Sequence, residues 1–141
     1  MDKRDIVLAG MYPSRQKFYS PVQIQKLFFL LDENIPELID GPQFTFQPYN
    51  YGPFDHVVYR VLEELEFDGL VEIMSSNSRG MYRLTNEGHN EAEKIFEALD
   101  PKAQRYIDKV SDFVLSLSFS SLVSAIYKAY PEMRRNSVFQ D

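Results

Sequence analysis

Apolar residues recur at helical spacing through Val57, Val58, Val61, Leu62 and Leu65, and the run stops at Gly69. Short apolar stretches at 70–74 and 81–84 flank a polar turn at 75–80, and Thr85 then stands as an N-cap in front of a further helix. Helix, hairpin and helix in that order predict that residues 55–88 form one supersecondary unit, the arrangement of a winged helix. Such domains bind nucleic acid or other proteins and are rarely enzymes.

The same patterning places the remaining elements. Residues 2–12 predict a short first helix with Ile6 and Leu8 inward. Ser20, Pro21 and Gln23 form a capping-box start, with Tyr19 and Ile24 set as a hydrophobic staple, for a helix through Leu27, Phe28, Leu30 and Leu31. Gln25 and Lys26 are its polar exceptions. Prolines and glycine break the stretch 32–54, within which Phe44 and Phe46 alternate with polar neighbours as a short strand over 44–47 would. A gap of that length between helices makes the domain a modified winged helix. Thr85, Asp100 followed by Pro101, and Ser120 open three more helices, the last ended by Pro131. The predicted core is Leu27, Phe28, Leu31, Val58, Val61, Leu62, Leu65, Ile95, Ile107 and Val114. The expected fold is mainly α with a small β-hairpin: a single domain over 1–141, with a winged-helix-like part at 1–100, C-terminal helices at 101–131 and a loose tail at 132–141.

Composition adds constraints rather than a function. With 141 residues, 44% hydrophobic and 26% charged, the chain can bury a core without staples. It has no cysteine, which rules out disulfides and thiolate metal sites. No signal-peptide pattern opens the chain and no apolar run approaches bilayer length, so a soluble cytoplasmic protein is expected. Charge is more informative. Residues 1–31 carry five basic and two acidic side chains, whereas 32–74 carry ten acidic groups and only Arg60. The helix that would read DNA in a winged helix therefore offers Glu63, Glu64, Glu66 and Asp68 where phosphates call for cations.

Three pieces of sequence, in order, carry a resemblance: Ile24-Gln25-Lys26-Leu27-Phe28-Phe29-Leu30, then Tyr51-Gly52-Pro53-Phe54, then Leu62-Glu63-Glu64-Leu65 leading to Tyr82-Arg83-Leu84-Thr85-Asn86-Glu87-Gly88. Over roughly residues 20–100 the chain resembles the SocA/Panacea-like proteins and their YwgA-like relatives, small prokaryotic proteins with winged-helix-related domains. Residues 127–132 are similar to the YwgA-like branch. The resemblance implies an antitoxin-like or phage- or defence-associated role exercised by direct contact with a protein, and it supplies no catalytic residues.

The residues themselves offer no catalytic set. His56 and His89 have no metal-ligand spacing, the glycines form no phosphate loop, and no serine sits in a nucleophile elbow. No enzyme, metal or cofactor is expected. The candidate partner contacts are Gln25 and Lys26, with Gln25 also placed to bond the turn at 51–53; Tyr49 and Tyr51 as aromatic anchors left exposed by a cluster that otherwise packs inward; and Glu63 and Glu66 for a partner with a basic surface, such as a toxin. The alternative is a winged-helix DNA-binding transcriptional regulator that contacts phosphates through Arg79 and Arg83 at the hairpin and Arg15, Lys17 and Lys26 in the basic N-terminal third.

Overall fold

The computed structural model describes residues 1–76 and 79–140, the side chains of Ser76 and Arg79 excepted. Among them are six α-helices and two antiparallel hairpins: α1 (Lys3–Met11), α2 (Pro21–Asn34), β1 (Gln47–Tyr49), β2 (Gly52–Phe54), α3 (Val57–Phe67), β3 (Val71–Ser76), β4 (Arg79–Leu84), α4 (Asn86–Glu97), α5 (Pro101–Ser116) and α6 (Phe119–Ala129). The chain is thus mainly α, as its periodicities predict. No helix among the described residues is long and apolar enough to cross a membrane.

Helix α2 is the central element. Its start is the expected capping box: the Ser20 hydroxyl accepts from the Gln23 amide at 3.3 Å and the Gln23 side chain accepts from the Ser20 amide at 2.8 Å. Every residue from 24 to 32 is buried, Gln25, Lys26 and Asp32 included. A helix buried on all sides must find internal partners for such groups, and these partners organise the loops around it. Ile6, Val7, Leu8 and Met11 of α1 join the same core, which extends through Leu62 and Leu65 of α3 to Ile107 and Val114 of α5 and Ile126 of α6. Of the predicted core, only Ile95 lies at its edge, half-buried.

The longer hairpin pairs Val71 with Leu84 and Ile73 with Tyr82. Tyr19, just before α2, bridges to β4 outside that ladder: its amide donates to the Tyr82 carbonyl at 2.7 Å and its carbonyl accepts from the Tyr82 amide at 2.9 Å. Helix α4 starts at the Thr85 cap, α5 at Asp100.

Three expectations are corrected. The short strand lies at 47–49, not at 44–47. The alternation there is real, but the Asp32 carboxylate accepts from the Gln43 and Phe44 amides at 2.7 and 2.8 Å, and the Asp55 carboxylate accepts from the Thr45 amide at 2.8 Å. Side-chain oxygens thereby take the donors a strand would use. The last helix starts earlier than Ser120, because Ser118 caps the Ser121 amide at 3.1 Å. The tail is tied down at 137–138 rather than loose there, with Asp141 outside the described residues: the Val138 amide and the Ser137 hydroxyl both donate to the Asn50 carbonyl, at 3.0 and 3.1 Å.

Candidate functional site

Gln25 and Lys26 face inward and hold the β1–β2 hairpin against α2. The Gln25 side-chain amide makes a reciprocal pair with the Asp55 backbone, donating to its carbonyl and accepting from its N–H, each at 3.0 Å. The Lys26 Nζ donates to the Pro53 carbonyl at 3.2 Å. At 3% exposure, and with no carboxylate beside it, the lysine is desolvated, which pushes its pKa down to about 7. As sequence reasoning allowed, Gln25 bonds the segment around the turn, although at Asp55 rather than at 51–53. Neither residue is on the surface where a partner would touch it.

Gly52 explains why the turn needs glycine. Its φ is +107°, and a Cβ there would lie 3.2 Å from Lys26 Cε and 3.6 Å from Tyr127 Cε1. Gly52→Ala should therefore lower stability by roughly 1–3 kcal/mol, from left-handed strain and crowding together. Urea unfolding measures the loss, and an unchanged midpoint would show that the turn relaxes without effect on α2.

The hairpin so pinned presents Tyr49 and Tyr51 at 51% and 44% exposure. Rings connect them to the rest of the surface. The Tyr49 ring lies 5.0 Å from Phe54, Phe54 lies 5.8 Å from Tyr59, and Tyr59 stacks on Tyr82 at 5.8 Å with planes 16° apart. Burial pushes the Tyr59 phenol up to about 12. Burial first, and the nearby Glu63 charge second, raise that of Tyr82. Glu63 thus sits at the end of the aromatic row that begins at Tyr49. Tyr59, Glu63 and Glu66 follow one another at helical spacing along α3, and both glutamates are exposed. In the other direction Tyr51 meets Phe119 edge-on at 5.1 Å, and Phe139 of the tail lies 6.1 Å from Phe119.

The structure brings Tyr49, Tyr51, Glu63 and Glu66 out to solvent and separates them from Gln25 and Lys26 beneath. Arg83 is engaged: it pairs with Glu72 at 2.7 Å and lies 4.5 Å over the Phe18 ring. Arg79 belongs to β4 through its backbone, and its side chain lies outside the described residues. Sequence reasoning missed Phe67, which closes α3 at 91% exposure beside the acidic face. A phenylalanine at the end of an apolar helix reads as core, and the signal against it was its place outside the stripe through Val58, Val61, Leu62 and Leu65. No family model, curated protein or solved structure matches this chain.

Proposed function

We propose that this chain is a small non-catalytic interaction module, antitoxin-like or phage- and defence-associated, that binds a protein partner with a basic surface. The observation that carries the proposal is the exposed Tyr49 and Tyr51 on a hairpin fixed from beneath, joined by a row of rings to Tyr82 beside Glu63, with Phe67 exposed at the end of the same acidic helix. Aromatic anchors held in place before binding lose little entropy on association. Outward glutamates steer a basic partner and speed encounter. The helix–hairpin order, with the Tyr19–Tyr82 bridge, suits a modified winged helix used as a binding scaffold.

The runner-up, a DNA-binding regulator, loses support from two cations: Lys26 is buried and Arg83 is paired with Glu72. It predicts a mobility shift of duplex DNA at physiological salt.

The test is to recover the partner by pull-down and measure both rate constants. Glu63→Lys with Glu66→Lys should slow association on the order of tenfold at low salt, leaving the fold intact. Tyr51→Ala should act on the dissociation rate instead. Rates unaffected by both changes would move the interface elsewhere. DNA binding abolished by Arg79→Glu would favour the regulator.

A further inference from the structure

A cleft of about 850 Å³ opens where the loop after α1 meets α4 and α5, away from the residues of the proposed interface. Small-molecule sites usually occupy roughly 300–1,000 Å³. One wall is the loop carrying Arg15, Gln16 and Lys17, and the facing wall is α5 with Asp108, Lys109 and Asp112.

The loop is held in an uncommon shape. Arg15 and Gln16 are successive non-glycine residues in the left-handed region, with φ of 52° and 67°. Such conformations persist only where the surroundings enforce them, and they gather at functional sites. Here the Lys17 amide donates to the Ser14 carbonyl at 3.2 Å, and the Gln16 side chain donates to the Leu84 carbonyl at 3.3 Å and to Asn86 Oδ1 at 3.1 Å. The result is that Arg15 and Lys17 stand exposed at the cleft.

Arg15, Lys17, Asp108, Lys109 and Asp112 take part in none of the ion pairs among the described residues. Behind them lie packed rings: Tyr12 stacks on His89 at 4.9 Å and meets Phe96 at a tilt, 4.8 Å away. The His89 Nδ1 is buried there without a hydrogen-bond partner among the described residues.

We propose that this cleft binds a nucleoside phosphate. Arg15 and Lys17 take the phosphate, the Asp108 and Asp112 carboxylates accept from sugar hydroxyls or an exocyclic amine, and the base lies against the Tyr12, His89 and Phe96 rings. Inorganic phosphate alone would leave the two carboxylates facing an anion. A free amino acid satisfies both signs of charge but leaves most of the volume unfilled.

The experiment is calorimetric titration of the full chain with AMP, GMP, adenosine and inorganic phosphate. At least one mononucleotide should bind saturably, with adenosine and phosphate each weaker by roughly tenfold or more, the loss of about one charged contact at 1.4 kcal/mol per decade. Arg15→Ala with Lys17→Ala should weaken the nucleotide by a similar factor and leave adenosine unchanged. Asp112→Asn should weaken nucleotide and adenosine together. These side chains are exposed, so circular dichroism should show an intact fold in each variant. Absence of saturable nucleotide binding, equal affinity for inorganic phosphate, or binding indifferent to all three substitutions would each overturn the proposal.

Discussion

Gly88→Ala should cost the protein about 3 kcal/mol or more, the largest loss expected from any single added methyl group. A Cβ at Gly88 would lie 1.8 Å from the Leu70 carbonyl oxygen, 2.7 Å from its carbon and 3.1 Å from the Leu70 Cα. All three are backbone atoms, so no rotamer change removes the collision, and α4 would have to back away from the strand entry. That movement would break the clamp at the helix start. The Thr85 amide donates to the Leu70 carbonyl at 3.1 Å, the Thr85 hydroxyl donates to the Gly69 carbonyl at 2.7 Å, and the same hydroxyl accepts from the Gly88 amide at 3.0 Å. Overpacking a well-filled site costs typically about 1–3 kcal/mol, and collision with fixed backbone belongs at or beyond the upper end. A domain of this size has only roughly 5–15 kcal/mol to lose. Urea unfolding of Gly88→Ala beside Thr85→Ala is the measurement. The threonine change should cost about 1 kcal/mol as a lost cap. A glycine variant no worse than the threonine variant would mean that α4 does not sit against Leu70 as described.

Thr85 and Gly88 show what sequence can carry. The cap residue three positions before a glycine is a local pattern with a local cause, and so are the Ser20 capping box and the Asp100–Pro101 start. The short apolar runs that mark β3 and β4 around a polar turn are local too. Each could be placed without knowing where the rest of the chain goes. The failures have a different origin. Phe44 and Phe46 alternate as a strand does, but carboxylates at Asp32 and Asp55 claim the neighbouring amides, and nothing at 43–46 announces them. Gln25 and Lys26 stand out as polar residues in an apolar helix and read as partner contacts, with a backbone bond foreseen for Gln25 alone; their acceptors at Asp55 and Pro53 depend on how the intervening chain folds back. The tail at 132–141 has no periodicity at all. It docks because Asn50 offers a carbonyl at a hairpin tip, and Phe139 finds Phe119 and Tyr127. The nucleotide cleft is assembled from three separate segments, none of which carries a motif. Among the candidate contacts, the exposure of Tyr49, Tyr51, Glu63 and Glu66 could be read from turn position and helix face. Phe67 was harder, because hydrophobicity argues for burial and the one sign against it was its place outside the apolar stripe of α3.

Lys26→Met should change how stability depends on pH, with the sign set by burial of the amine. In the unfolded chain the ammonium titrates near its model value of 10.5, and in the folded protein desolvation brings it down to about 7. Below pH 7 both states hold the proton, and folding bears the full penalty of a buried charge. Between about 7 and 10.5 the unfolded state binds a proton that the folded state has released. Stability therefore rises with pH through this window, by at most about 1.4 kcal/mol per unit. Other groups act differently but are common to both proteins. The raised N-terminal amine, hydrogen-bonded to Asp40, stabilises at lower pH and fades as pH rises through its folded value. The Tyr19 and Tyr59 phenols, held up to about 12 by burial, oppose folding only above about 10, where the unfolded chain ionises. The difference between variant and wild type cancels these and isolates Lys26. Methionine fills the space without a charge, and its deficit is the Pro53 carbonyl, left without its donor at a cost of roughly 1–3 kcal/mol. The variant should be the more stable protein at pH 6 and the less stable at pH 10, with a relative swing of roughly 3–5 kcal/mol between. Urea midpoints across this range would show it. Parallel curves would mean that the amine keeps its proton at the turn. In that event the lysine would hold the tyrosine-bearing hairpin as a cation on a carbonyl, and the partner contact built on Tyr51 would not sense pH through it.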